Sequence, residues 1–118
     1  MKQELSDIYV NWQDKLQEDE WYFSNAFDDI ERGMSAGEAF DYIPVIIKQI
    51  LILNNDFLVW NTLYFLLSIY STAKTTEIHS ELKKNWLTLS EHISDYEDSF
   101  EKPFQELKRY LRIKDRLL

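Results

Sequence analysis

The chain of 118 residues carries 21 acidic and 13 basic side chains, which gives a formal net charge of −8, and it contains no cysteine. Disulfides and thiolate metal sites are therefore excluded, and a cytoplasmic location is expected. A negative net charge repels phosphate backbones, which argues against general binding of nucleic acid. Glycine and proline number only two each and no strand-like alternation persists, so one all-α domain is expected over residues 1–118.

The first apolar pattern runs through residues 3–32, with steps of three and four as on one face of a helix. Three consecutive acids at residues 18–20 interrupt it. The alternatives are one long helix or two helices that break at residues 17–20, and we favour two. Gly33 would end this segment, because glycine adopts the left-handed conformation of a helix C-terminus freely.

Ser35 and Glu38 have the Ser-x-x-Glu spacing of a capping box, which predicts that the next helix begins here. Pro44 follows nine residues after Ser35, at a position where a helix interior would lose a hydrogen bond. Either this helix kinks at Pro44, or a new helix starts near Asp41. In the second case Asp41 is the N-cap and Pro44 lies in the tolerated first turn.

Residues 43–70 are the most apolar stretch and form the predicted centre of the domain. The polar residues 54–56 divide it into two helices, with Asn55 or Asp56 as the cap of a helix over residues 57–72. This helix is apolar on nearly all sides, which is typical of a central helix. The apolar run 57–70 is shorter than the roughly 20 residues of a bilayer span, so no membrane association is expected. The predicted core includes Ile47, Ile50, Trp60, Leu63, Leu66, Leu67, Tyr70, Trp86 and Leu89.

Two more helices are predicted after a linker at residues 71–76. The first covers residues 77–96, with Thr75 or Thr76 as its cap, and has a clean amphipathic pattern. The second has Pro103 in its first turn. Together the pattern indicates five or six antiparallel helices stacked as helical hairpins, HEAT-like in shape, around the central helix. The buried side of the last helix is predicted to contain Phe100, Phe104, Leu107, Leu111 and Leu118.

The residues give no sign of catalysis, and neither a metal nor a cofactor is expected. Two histidines, His79 and His92, lie thirteen residues apart on one predicted helix. At a rise of about 1.5 Å per residue they would be roughly 20 Å apart and could not share an ion. Nucleophile motifs and glycine-rich phosphate loops are missing from the sequence. A weaker alternative is an enzyme that uses the polar stripe of Asn61 and Ser68.

The acidic residues are concentrated at the N-terminus. Residues 1–47 contain eleven acids and three bases, whereas residues 99–118 contain three acids and six bases. A tryptophan among carboxylates is typical of an interface anchor with an acidic rim. The alternative is that a break at residues 17–20 turns the tryptophan inward and leaves only a solvated acidic face. The predicted partner-binding residues on the outer side of this region are Asp14, Glu18, Trp21, Asp28 and Asp29.

The acid clusters at residues 18–20 and 28–29, and the polar turn at 54–56 between two apolar helices, characterise the chain as a small acidic helical domain. In these features it resembles the small acidic all-helical immunity proteins of bacterial toxin–immunity systems. The resemblance implies a protein that blocks a basic surface on one partner, such as a nuclease-type toxin. The alternative function is a structural or adaptor subunit that self-associates through an apolar patch of Val45, Ile52 and Leu87.

Overall fold

The computed structural model describes residues 4–94 and 101–112 of the chain. All regular secondary structure in these residues is helical, which confirms the all-α prediction. A 3₁₀ helix at Leu5–Tyr9 precedes six α-helices. These are α1 (Trp12–Glu18), α2 (Tyr22–Glu31), α3 (Ala36–Ile52), α4 (Asp56–Ala73), α5 (Ser80–Ser94) and α6 (Glu101–Leu111).

The N-terminal segment is divided twice. The predicted break at residues 17–20 is confirmed over one long helix, whereas the break at Asn11 was not predicted. Asn11 has a left-handed conformation with φ 52° and separates the 3₁₀ helix from α1. Asp19 is extended and separates α1 from α2. Gly33 has a φ of 82° directly after α2, as expected for a residue that ends a helix.

The capping box that opens α3 is present as predicted. The backbone N–H of Glu38 donates to Ser35 Oγ at 3.1 Å, and the backbone N–H of Ser35 donates to Glu38 Oε1 at 2.9 Å. These reciprocal bonds satisfy two backbone donors that would otherwise lack partners at the helix start. They set the first turn of α3 at residue 36.

α3 continues through Pro44, so the predicted new helix near Asp41 is wrong. A proline in a helix interior costs about 3 kcal/mol, because it removes one backbone hydrogen bond and crowds the preceding turn. Ile43 and Ile47 flank Pro44 and are buried, and burial of each such side chain contributes about 1.5–3 kcal/mol. The core contacts on both sides of Pro44 therefore outweigh its local cost. The alternative of a kink at Pro44 stays a prediction.

α4 is the central helix, with half of its residues buried. It packs most extensively against α3, to which residues 53–55 connect it, and it also contacts α6 and α2. The side chain of Asn55 accepts the backbone N–H of Leu58 at 3.1 Å, which confirms Asn55 as the N-cap. The predicted core residues that are buried are Ile47, Ile50, Leu63, Leu66, Tyr70, Trp86 and Leu89.

One side of α4 is open to solvent, and the predicted burial of Trp60 is wrong there. Trp60 is 36 % exposed, and Leu67 is only half-buried. Both lie on the same side of α4 as Tyr64 and Ser68, at the three- and four-residue spacing of one helix face. α3, α6 and α2 pack on α4, but the described residues leave this side of the helix partly uncovered.

α5 begins at Ser80 rather than at residue 77, because His79 occupies the position before its first turn. His79 Nδ1 accepts the backbone N–H of Glu81 at 3.0 Å, and the backbone N–H of His79 donates to the hydroxyl of Tyr70 at 3.1 Å. The predicted caps Thr75 and Thr76 are therefore wrong. The predicted helix end near residue 96 lies outside the described residues.

α6 packs on the core through the apolar side that its pattern predicts. Phe104, Leu107 and Leu111 are buried, whereas the predicted core residues Phe100 and Leu118 lie outside the described residues. Pro103 lies within the first turn, as expected. The ring of Phe104 stacks on that of Trp86 in α5, with centroids 5.1 Å apart.

Aromatic contacts show that α2 and α4 run in the same direction. Phe23 of α2 meets Phe57 of α4 with ring centroids 5.9 Å apart, and Phe27 stacks on Phe65 at 4.4 Å. Residue numbers therefore increase together along the two helices. Helices two apart in the chain are expected to be parallel in a stack of helical hairpins. The HEAT-like arrangement itself stays a prediction.

A buried hydroxyl pair connects the 3₁₀ helix to α4. Thr62 is fully buried and donates to the carbonyl of Leu58 at 2.7 Å. Its oxygen lies 2.5 Å from the hydroxyl of Tyr9. Because the single proton of Thr62 is used, Tyr9 is the donor in this second bond. Desolvation by burial raises the pKa of the Tyr9 phenol well above its ordinary value.

We expect Leu66→Ala to lower the free energy of unfolding by about 2–5 kcal/mol, because Leu66 is fully buried in α4. Leu87→Ala is the control, since the Leu87 side chain is 70 % exposed and its loss should change stability by less than about 0.5 kcal/mol. Urea unfolding measures both. Equal, near-neutral effects of the two substitutions would contradict the placement of α4 at the centre.

We expect Tyr9→Phe to lower the free energy of unfolding at pH 7 by about 0.5–1.5 kcal/mol, through loss of the bond to Thr62. The raised pKa keeps Tyr9 neutral in the folded state, whereas in the unfolded chain tyrosine ionises near pH 10. This contribution is therefore fully present below about pH 10 and is lost as pH rises towards the folded-state pKa. Unfolding measured at increasing pH should show the two proteins converging above about pH 10. A constant difference would contradict this coupling.

Candidate functional site

The predicted partner-binding residues lie on the outer sides of α1 and α2. Asp14 and Glu18 are exposed on α1 and are four residues apart, so they share one face of the helix. Trp21 directly precedes α2, Asp28 lies within α2 seven residues later, and both are exposed. Asp29 is exposed beside them.

Trp21 points outward although the chain does break between α1 and α2. Its side chain is 64 % exposed, so the expectation that a break would turn it inward is wrong. The next two residues take the inward positions instead. The hydroxyl of Tyr22 donates to the carbonyl of Ile8 at 2.7 Å, and Phe23 is buried.

Two acids of the N-terminal region are engaged in local interactions. The side chain of Asp19 accepts the backbone N–H of Trp21 at 3.0 Å and the side-chain amide of Asn25 at 3.4 Å. Asp29 Oδ1 lies 3.5 Å from the guanidinium of Arg32, with both side chains well exposed. An exposed pair of this kind contributes little to stability. Asp19 therefore stabilises the turn between α1 and α2, whereas Asp29 is partly neutralised on the surface.

A groove of about 310 Å³ lies between α2 and α4. Its apolar part includes the stacked rings of Phe27 and Phe65. Trp60 and Tyr64 line it from α4, with their rings edge to face and centroids 4.8 Å apart. Of the five predicted site residues, Asp28 alone is among the residues that line this groove.

Glu31 lines the same groove and connects α2 to the polar stripe of α4. The hydroxyl of Ser68 donates to Glu31 Oε1 at 2.8 Å, and the hydroxyl of Thr72 donates to Glu31 Oε2. Asn61, the other polar residue of the stripe, donates its side-chain amide to the carbonyl of Phe57 at 2.8 Å. The bonds of Ser68 and Thr72 therefore help to dock α2, whereas the bond of Asn61 stays within α4.

Sequence reasoning missed Glu31 as a site residue. The available signal was the pair of hydroxyl residues, Ser68 and Thr72, one turn apart on an otherwise apolar helix. Polar groups at such positions need a hydrogen-bond partner, either a carbonyl of their own helix or a group of another element. The sequence did not identify which of the many acids would supply it.

A second groove, of about 700 Å³, lies along α3. Val45 and Ile52 line it and are 44 % and 68 % exposed, as the self-association alternative expects. Leu87 is also exposed but belongs to α5 and does not line this groove. Glu4 and Lys48 are the charged residues that line it.

Both histidines have structural partners. His79 caps α5, and His92 Nε2 donates to the carbonyl of Leu53 at 2.8 Å, which connects α5 to the end of α3. Within residues 4–94 and 101–112, no three His, Cys, Asp or Glu side chains are grouped closely enough to hold a metal ion. Across the same residues, no helix has the length and apolar character that a bilayer crossing requires.

Comparison with known proteins adds no assignment. The sequence matches no protein-family model and no curated protein, and the fold matches no solved structure. The features that bear on function are the acidic outer sides of α1 and α2, the exposed Trp21, and the two grooves.

We expect Asp19→Ala to lower the free energy of unfolding by about 0.5–1.5 kcal/mol, because it removes the side chain that accepts the Trp21 N–H in the turn before α2. Glu20→Ala is the matched control: it removes an adjacent, exposed carboxylate of the same charge. Chemical unfolding of both variants gives the comparison. If the two substitutions have the same effect, Asp19 acts only as a surface charge and its hydrogen bond to Trp21 does not stabilise the turn.

Proposed function

We propose that this chain is a non-catalytic acidic binding module that neutralises a basic protein partner, such as a nuclease-type toxin, as an immunity protein does. The observation that carries the proposal is the 64 % exposure of Trp21 on the outer side of α2, in the same region as Asp14, Glu18 and Asp28. A large aromatic side chain exposed to water in this region is well suited to be covered by a partner.

The carboxylates suit the encounter with such a partner. Asp14, Glu18 and Asp28 are exposed, and none of them forms an ion pair with a described residue. Unpaired surface charges of one sign attract an oppositely charged surface and raise the association rate. An inhibitor of a nuclease must compete for a cleft that binds phosphate, and such a cleft is positively charged.

Trp21 suits the second stage of binding. Desolvation of a large aromatic side chain at the centre of an interface often contributes most of the binding free energy. Such a contribution depends little on salt, whereas steering by surface charges is screened over a Debye length of about 8–10 Å. We therefore expect the carboxylates to act mainly on the association rate and Trp21 to act mainly on the dissociation rate.

A second candidate function is an adaptor that self-associates through its apolar surface. The exposure of Val45 and Ile52 in the groove along α3 favours it. Leu87 is a further exposed apolar residue, on α5. This candidate requires no basic partner, and its binding should respond to polar substitution of these three residues.

We expect the combined substitution Asp14→Lys, Glu18→Lys and Asp28→Lys to weaken partner binding mainly through a lower association rate, with a loss that shrinks as salt rises. Trp21→Ala should instead raise the dissociation rate with little salt dependence. The partner to use is a basic toxin encoded beside this chain's gene, and rates are measured over a series of salt concentrations.

The control is a variant in which Val45, Ile52 and Leu87 are all replaced by serine. The binding module predicts unchanged partner kinetics for this variant, whereas the adaptor predicts loss of self-association, measured as a fall in oligomer mass. Unchanged partner kinetics in the triple-lysine variant would leave the acidic face as a solubility feature and contradict the proposal.

A further inference from the structure

The charged side chains that line the groove between α2 and α4 are acidic. Two carboxylates, those of Asp28 and Glu31, line it from α2, and no lysine, arginine or histidine is among its lining residues. Arg32 follows Glu31 in the chain but pairs with Asp29. The groove is therefore an anionic concavity, and the nearby cation Arg32 is not among the described residues that line it.

The hydroxyls of α4 orient the carboxylate of Glu31. Ser68 donates to one of its oxygens and Thr72 to the other. A carboxylate has about four lone-pair sites, so two bonds leave acceptor capacity on both oxygens. Glu31 is half-buried, and its position is set before any ligand arrives, which lowers the entropic cost of binding.

The α4 side of the groove is aromatic. Trp60 is 36 % exposed and stands edge to face against Tyr64. Tryptophan is the strongest side-chain acceptor of cation–π interactions, and arginine is its most frequent donor. Apolar side chains that include the stacked Phe27 and Phe65 continue the lining. Carboxylates on one side and an indole on the other are complementary to a flat cation.

The size of the groove selects a side chain rather than a peptide segment. About 310 Å³ is at the lower end of the roughly 300–1,000 Å³ range of ligand sites. An arginine has an apolar stem of three methylenes and a charged planar head, so its stem suits the aromatic lining while its head reaches the carboxylates. The guanidinium also stacks on aromatic rings and forms forked bonds to carboxylates, which an ammonium does not.

We propose that the α2–α4 groove binds one arginine side chain of the protein partner, between the carboxylates of Asp28 and Glu31 and the ring of Trp60. This inference rests on the proposed function, because it names the partner chemistry that the acidic module recognises. It adds a specific pocket on α4 to a surface that otherwise acts through long-range charge and Trp21.

The test uses a blocked Gly-Arg-Gly tripeptide as the probe and the four indole N–H signals of the protein as the readout. Substitution of each tryptophan by phenylalanine assigns the signals. We expect the Trp60 signal to move in a saturable way with the arginine peptide. A citrulline peptide of the same shape but without charge should bind roughly two- to fivefold more weakly or not at all.

Asp28→Asn and its neighbour Asp29→Asn form a matched pair. Both remove one exposed negative charge from α2, but only Asp28 lines the groove. We expect Asp28→Asn to weaken the peptide at the Trp60 signal by roughly two- to fivefold, an effect of the size of one exposed charge contact, and Asp29→Asn to leave it unchanged. Equal losses in the two variants, equal binding of the citrulline peptide, or a shift at Trp21 instead of Trp60 would each overturn the inference.

The double variant Asp14→Lys, Glu18→Lys separates this inference from the proposed function, because it reverses charge on α1 and leaves the groove residues in place. A slower association with the partner in this variant, without any response of the Trp60 signal to the arginine peptide, would support the binding module and contradict the arginine site. A response of the Trp60 signal to the peptide, with partner kinetics unchanged in the double variant, would support the arginine site in the groove and contradict steering by the acids of α1.

Discussion

The apolar surface of α4 is the constraint on which the rest of the structure depends. A helix that is apolar on nearly all sides is unstable in water unless other elements cover it. α3 covers one side, while α2 and α6 cover others. The cover stops at the row that contains Trp60 and Tyr64. The groove beside α4 therefore lies where the central helix has more apolar surface than the described residues cover.

α2 is positioned against α4 by two kinds of contact. Stacking of Phe27 on Phe65 supplies apolar burial, and the bonds from Ser68 and Thr72 to Glu31 add direction, because hydrogen bonds are angle-dependent. Apolar packing alone would allow α2 to slide or rotate along the helix. The carboxylate of Glu31 fixes its register and, in the same contact, places a negative charge beside the open aromatic row.

Much of the fold was predictable because its signals are local. The Ser35–Glu38 capping box, the Asn55 cap and the Gly33 stop each depend on a few neighbouring residues, and all three are confirmed. The errors occur where distant contacts decide the outcome. The continuation of α3 through Pro44 depends on core burial, and the late start of α5 depends on the bond from the His79 N–H to Tyr70.

The site was less predictable than the fold, because acidic side chains of the same charge have different environments. Asp19 accepts hydrogen bonds in the turn before α2, Glu31 docks one helix on another, and Asp29 pairs with Arg32. Their formal charges are the same as those of the exposed Asp14 and Asp28, and no spacing rule separates the two groups in the sequence.

The acidic side chains of the N-terminal region fall into two groups. Acids with local partners maintain the shape of α2, and the exposed acids around them are free to meet a partner without cost to the fold. Under the proposed function, we expect removal of Asp14 or Asp28 to change recognition and removal of Asp19 or Glu31 to change the scaffold that presents them. The negative net charge of the chain thus comes both from carboxylates with local partners and from exposed carboxylates. We expect only the exposed group to make the association rate with a partner depend on salt.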